Sequence, residues 1–472
     1  MTLTPHTLGT PHTREEEPGI RAALTRNGLG QASHVLTGWI QSRLSTIHLP
    51  EVQGEVDIGI GAVYYVLHDM SVVQCDLPEP EVAPTEGTGI SVLVSGVSIK
   101  IQGSWNTNFG IIHDGGWFEL AVFDILLKST LQLGSDYGAR LSVTALFCQA
   151  EVGNVDINFH GGASFIFQPF VSHFTGRIIS EIQVKICPAF NQAVESLESH
   201  LAAMEVSIPV SPFVFVKIPL TESPIVTDSG IEVDIKGIFY SIQNPTEPPF
   251  PPNHFALQWQ DDCMLAAGAS EFCVNTVAFA HFTAGALQIN ITDSMIPKTS
   301  PVHLNTSQFG PFIPQLPKLF PNRLMQVLLY ASESPHVSLR TNMIIVEVSA
   351  EAKVFAVQPD SSLAPLFKLD MEISLSGKVF IEGQLLKGSL TLNNFTMTLG
   401  SSEIGQFEIG VMQNTMKTAL NMVVLPQLNG KLRDGLPLPS PKGFSLANAK
   451  LTVGEGFLAL TTDIEAPYED KL

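Results

Sequence analysis

Apolar residues recur along this chain in two rhythms that alternate twice. From Pro18 to Pro50, Ala23, Leu24, Ala32, Val35, Leu36, Trp39, Ile40 and Leu44 fall mainly three, four and one apart, which predicts a helix stopped by Pro50. From Val52 to about Phe159 the period shortens to two. Val97, Ile99 and Ile101 alternate with polar neighbours and glycines mark the turns, the pattern of antiparallel strands. A second helix is predicted from about Phe170 to Met204. Its stripe is Phe170, Phe174, Ile178, Ile182, Ile186, Phe190, Val194, Leu197 and Leu201, with Pro188 as a kink or restart. Strands return over 206–239, where Ile231, Val233 and Ile235 alternate.

Five prolines, at 245, 248, 249, 251 and 252, then make a stiff polyproline-like connector. After it the two rhythms repeat. A mixed segment precedes an amphipathic helix expected around Lys318 to Leu329. Val346, Val348, Ala350, Ala352, Val354 and Ala356 line one face of a strand and Glu347, Ser349, Glu351 and Lys353 the other, with Phe355 out of phase. Leu369, Met371, Ile373 and Leu375 alternate likewise, as do Leu390 and Leu392 before a phase slip at Asn393-Asn394 that reads as a bulge. A last helix near Phe407–Leu425 and a strand at Phe457–Ile464 close the pattern. Both halves are α+β modules of one design.

Length and charge narrow the function. The 472 residues exceed one ordinary core, and 44% apolar residues suffice for large ones. A net charge of −20 argues against a nucleic-acid binder. No run of 18 apolar residues predicts a transmembrane helix, and the first twenty residues have no apolar core of a signal peptide. Three acceptor triplets, at Asn290, Asn305 and Asn394, are candidate glycosylation sites. The chain has no G-x-S-x-G elbow and no H-E-x-x-H, and Gly59-Ile-Gly61 lacks the third glycine of a dinucleotide loop, Tyr64 standing in its place. Catalytic and metal-ligating residues are therefore expected to be none. The five cysteines, 75, 148, 187, 263 and 273, include no C-x-x-C; their odd number leaves at least one free thiol or an intermolecular bond.

A collinear set of segments resembles the bactericidal permeability-increasing / lipopolysaccharide-binding protein family, which also includes phospholipid and cholesteryl ester transfer proteins. Glu17-Pro-Gly-Ile, Leu24-Thr and Asn27-Gly-Leu-Gly open it; Phe159-His-Gly-Gly-Ala-Ser, with Cys148 before and Ile186-Cys-Pro after, follows. Phe239-Tyr-Ser-Ile, Glu247-Pro-Pro-Phe, Ala284-Gly-Ala-Leu, Ile291-Thr-Asp and Met295-Ile-Pro-Lys come next in order. Phe309-Gly-Pro-Phe-Ile-Pro, Val424-Leu-Pro-Gln-Leu-Asn and Leu436-Pro-Leu-Pro complete it. The resemblance runs from about residue 17 to 465.

It implies an α+β boomerang of two barrel-like domains, each a twisted antiparallel sheet round a long helix, joined by a central sheet. The expected divisions are an unstructured 1–16, an N-terminal barrel at 17–240, a proline-rich linker at 241–256, a C-terminal barrel at 257–465 and a tail at 466–472. The resemblance also implies secretion, a Cys148–Cys187 disulfide and an apolar lipid pocket in each half. No cofactor is expected beyond bound phospholipid. Expected partners are phospholipid, lipopolysaccharide and a membrane or lipoprotein surface, with no nucleic acid, and the chain is expected to be a monomer. Candidate lipid contacts, chosen by period, are Leu36, Ile40, Phe170, Phe174, Ile178 and Ile182 in the first half, and Phe312, Ile313, Leu316 and Leu328 in the second.

The chain departs from its antibacterial relatives in charge. The stretches that match the family's cationic tip loops, 42–50, 103–110 and 158–174, are nearly uncharged here, and residues 45–175 as a whole hold three basic residues (Lys100, Lys128, Arg140) against fourteen acidic ones. The hairpin Gly103–Gly110 offers Trp105 and Phe109 in place of Lys and Arg, so the tip is expected to meet membranes by apolar insertion. Two readings follow: a defence protein recognising bacterial outer-membrane lipid, or a carrier of neutral or zwitterionic lipid without endotoxin recognition. A β-rich enzyme ranks below both.

Overall fold

The computed structural model describes residues 6–7, 17–31, 33, 37, 48–49, 51–57, 61–85, 87, 89–162, 164, 168, 171–259, 262–298, 300, 303–438 and 445–465. The first half begins with β1 (Ile20–Thr25), helical backbone from residue 26, and then a meander. Its strands are β2 (Val52–Asp57), β3 (Ala62–Asp76), β4 (Glu81–Thr85), β5 (Gly89–Phe109), β6 (Ile112–Ser135) and β7 (Leu141–His160). At about 3.3 Å per residue the longest of these reach on the order of 70–80 Å. They pair antiparallel in the order β3-β5-β6-β7, with β2 on β3 and β4 on β5. The helix α1 (Val171–Ala202) follows with Pro188 inside it and lies along β7. Its Ile178, Ile182 and Ile186 pack on an inner face of Leu67, Ile101, Phe118, Leu120 and Ile157. The Cys148–Cys187 disulfide (Cα–Cα 5.8 Å) ties β7 to α1, while Cys75, Cys263 and Cys273 are buried thiols outside any disulfide.

Short strands β8 (Ser207–Pro209), β9 (Val214–Lys217), β10 (Ile225–Thr227), β11 (Gly230–Ile235) and β12 (Ile238–Ser241) end this half. The proline-rich segment is packed down. Phe250 meets Phe272 and Phe279 edge-on at 5.8 and 6.1 Å, and the Tyr240 hydroxyl donates to Glu247.

The second half repeats the order. β13 (Leu265–Ser270) leads directly into α2 (Glu271–Thr283), whose first turn is capped by the Ser270 side chain accepting from the Cys273 N–H at 3.1 Å. Then come β14 (Gln288–Thr292), the single turn α3 (Leu316–Leu319), β15 (Met325–Ala331), β16 (His336–Arg340), β17 (Met343–Val357), β18 (Leu363–Glu382) and β19 (Leu385–Ser402). They form one sheet in the order β14-β15-β17-β18-β19, with β16 on the other end of β17. α4 (Gly410–Ala419) passes through a π-helical turn, Leu420–Val424, into α5 (Leu425–Asp434). β20 (Ser445–Gly454) and β21 (Phe457–Glu465) finish the chain.

The halves share a central sheet of order β10-β11-β1-β13-β21-β20. Its seam is β1 on β13, with Leu24 opposite Leu265 and Ile20 opposite Ala269. Gly19 sits where a Cβ would lie 2.4 Å from the Lys236 carbonyl oxygen, so only glycine lets the chain enter β1 this close to its neighbour.

Several expected elements differ. Ala23 and Leu24 belong to strand β1, not to a helix. The helix expected at 318–329 is one turn followed by a strand, because Met325, Val327 and Leu329 are buried at period two. α2 gave no periodic signal, since Phe272-Cys-Val-Asn-Thr-Val-Ala-Phe is apolar nearly all round and packs on several sides. The bulge expected at Asn393-Asn394 is present: Ser374 faces Asn394 and Leu375 faces Leu392.

The disulfide closes a 39-residue loop, which in the chain-entropy account is worth about 3–4 kcal/mol. The double variant C148S/C187S should lose that much in equilibrium denaturation under non-reducing conditions; an unchanged midpoint would contradict it.

Candidate lipid-binding site

Inside the second half, one sheet face and one helical run enclose an apolar cavity. Val327 and Leu329 of β15, Ala352 of β17 and Met371 of β18 form its floor. Ile291, Ile296, Leu304 and Phe309 wall one side. The roof is the helical run, from Thr415 through the π turn to Val424. Among the described residues no charged side chain lines it, and Ser300, Thr415 and Thr418 are the polar ones that do.

Each part has a local cause. Alternation on β15 and β17 turns Val327, Leu329, Ala350, Ala352, Val354 and Ala356 inward, and the alanines leave space that larger side chains would fill. The roof owes its π turn to Pro426. Proline has no N–H to offer the carbonyl four residues back, at Met422, and its ring crowds that turn. A locally wider turn accommodates the ring without breaking the helix. Beyond the roof, the Asn429 side chain bonds both backbone groups of Leu390, at 2.7 and 2.9 Å, and pins α5 to β19. The enclosed volume is about 60 Å³, below the roughly 300–1,000 Å³ usual for ligand pockets. Met371, Met416 and Met422, unbranched and adaptable, border it.

The residues chosen from the sequence fall around this cavity rather than on it. Phe312, Ile313 and Leu316 belong to the adjoining core, Ile313 and Leu316 being fully buried. Leu328 lies on the opposite face of β15 from the lining Val327 and Leu329, so the helical period placed it one residue out of phase. In the first half Ile178 and Ile182 pack on the sheet as core. Leu36, Ile40 and Phe170 lie outside the described residues, and so does the side chain of Phe174. The lining residues of α4 and the π turn were missed; the Leu425-Pro426 step inside an apolar helix was the available signal.

Trp105 is not at the membrane tip. It is 1% exposed, and its indole N–H reaches the carbonyls of Trp117 and His160 at 3.1 and 3.2 Å. It shares the inward parity of Ile101 on β5, and Gly116 opposite makes room: a Cβ there would lie 2.0 Å from the His160 oxygen and 2.9 Å from the indole nitrogen. Phe109 is half-buried. The side chains that stand out at this hairpin end are Ile111 and Ile112, 96% and 60% exposed, in the turn just past the segment singled out. Asn290 and Asn394 are exposed and Asn305 is half-buried. Among the described residues no group of three His, Cys, Asp or Glu side chains is placed to hold a metal, and no helix is long and apolar enough to cross a membrane.

The profile of the LBP / BPI / CETP family, N-terminal domain, matches residues 28–198, and that of its C-terminal domain matches 210–466. The chain is 35% identical to a bactericidal permeability-increasing protein of Sebastes schlegelii over 96% of its own length and 97% of the relative's. It is 26% identical to the human lipopolysaccharide-binding protein over 98% and 96%. The crystal structure of a lipopolysaccharide binding protein superposes on 95% of this chain and 99% of its own with a TM-score of 0.63 at 23% identity, which places the two in one fold.

Ala352→Leu should fill the cavity floor with three extra carbons at a stability cost of no more than about 1–3 kcal/mol. Lipid retained by the second half should fall at least five-fold while circular dichroism stays unchanged. Full lipid retention by the variant would show that this space is not where lipid lies.

Proposed function

The chain belongs to the LBP / BPI / CETP family, whose members bind lipid and are not enzymes, and from that premise we propose that it takes up acyl chains of phospholipid or lipopolysaccharide in an apolar cavity in each half, as a secreted protein of defence against Gram-negative bacteria. The observation that carries the reading is the charge-free lining of the C-terminal cavity. An interior without charges takes hydrocarbon and rejects ionic solutes, and the headgroup stays at the mouth. The narrow volume fits a roof that lifts as a chain enters, with the π turn as its weakest link and the methionines adapting to what comes in. Secretion is supported by the disulfide, which persists in oxidising surroundings, and by the exposed acceptor asparagines 290 and 394.

A second reading, carriage of neutral or zwitterionic lipid without endotoxin recognition, is favoured by one observation. The three basic residues of 45–175 face fourteen acidic ones, so the first half has little with which to grip lipid phosphates.

Protein purified from a eukaryotic secretion host should carry about one two-tailed phospholipid per half in native mass spectrometry. Each buried methylene contributes about 0.8 kcal/mol before ordering costs. Bare polypeptide alone would refute the cavity reading. Displacement of that phospholipid by lipopolysaccharide, and not by neutral lipid, selects the defence reading over the carrier.

A further inference from the structure

Beyond the cavity roof the molecule changes character. α5 touches the sheet through Leu425, which is buried, and through Asn429; most of the helix otherwise stands in solvent. Leu428 and Leu432 are 40% and 38% exposed, and Leu436 just past the helix is 55% exposed. Positions 425, 428 and 432 share one helix face. One apolar stripe therefore runs from the roof outward to the helix end, where Leu436 pairs with Leu386 beside the β18–β19 turn. Lys431 and Arg433 stand exposed next to it. The sequence around them reverses the sign of the chain: residues 409–450 hold five basic residues and one acidic, within a total of −20.

Cations in a last helical turn suit the helix dipole whatever their function. That accounts for Lys431 and Arg433 but not for leucines left two-fifths exposed on the same turns. Leucines flanked by cations on an exposed helix are the make-up of an element that lies in a lipid interface.

We propose that α5 is the docking element by which this protein settles on an anionic lipid bilayer, its leucines entering among the acyl chains and Lys431 and Arg433 meeting headgroup phosphates. The helix is continuous with the cavity roof, so docking brings that roof close to the membrane. The inference goes beyond the cavity reading, since it concerns the outer surface, and it gives the acidic protein a cationic face at the end opposite in sequence to its uncharged hairpin tip.

The test is vesicle sedimentation of the full chain. Wild type should bind phosphatidylglycerol-containing vesicles at least ten-fold more tightly than pure phosphatidylcholine at about 0.05 M salt. That preference should collapse by about 0.3 M as the Debye length falls to roughly 6 Å. A basic side chain near an anionic surface is worth about five-fold in affinity. K431E/R433E and, separately, L428S/L432S should each weaken anionic binding at least five-fold, whereas I111S/I112S should leave it within two-fold. All substituted positions are exposed, and unchanged lipid load in native mass spectrometry verifies the fold and cavity of each variant. A loss under five-fold in K431E/R433E, or a loss carried by I111S/I112S instead, overturns the proposal. A wild type that carries no lipid yet docks on anionic vesicles strikes the cavity reading and supports this one.

Discussion

Everything in this molecule hangs from the pairing of β1 with β13. The two strands lie some 240 residues apart in sequence, yet each launches its half: helical backbone starts right after Thr25, and α2 right after Ser270. The seam is fastened at both ends. Ser270 donates to the Gly19 carbonyl at 3.0 Å while capping α2, and the Thr25 hydroxyl donates to the Cys263 carbonyl at 2.6 Å. Between them Arg21 is fully buried, with Asp234 of β11 at 3.6 Å and the Phe255 ring beneath its guanidinium at 5.3 Å. Glu17 stands 3.7 Å away as well, and a buried cation paired in this way adds little net stability but penalises any register that parts it from its carboxylates. The seam thus brings a charge from one half and a ring from the end of the proline-rich linker to one place.

From that seam both halves solve one problem in the same way. Long strands alternate with bulges that restore the phase, so each sheet has an apolar face far larger than a short helix covers. In the first half a 32-residue helix, stapled by a disulfide, lies along it. In the second the cover is the α4–α5 run, softened by a proline-driven π turn and pinned at Asn429. This cover is held without a covalent tie, by the amides of Gln413 and Asn429 and by buried Met412, Leu420, Val423 and Leu425. The described cavity lies under that second cover.

Much of this was legible in the chain. Strict alternation from Val346 to Ala356, the slip at Asn393, the long helix from about 170 and the recurrence of one design across a proline-rich joint are all local signals. They are local because side chains alternate every residue on a strand and every third or fourth on a helix. The opposed readings of Trp105 show the limit. Its hairpin has the composition of a membrane tip, but its parity with Ile101 and the gap at Gly116 turn the indole inward; composition cannot supply a direction.

The sequence by itself determined the two-module α+β architecture, the acidic, cation-poor first half and the apolar interior, because periodicity and charge are properties of neighbours along the chain. Tertiary structure alone decided that Leu24 is a strand residue, that the largely apolar 271–283 is a helix, that Leu328 points away from the cavity while Ala352 and the π turn line it, and that Leu428 and Leu432 stay partly exposed. Those facts depend on which surfaces meet. A leucine is core or contact surface only once the partner that covers it, or fails to, has been brought across hundreds of residues.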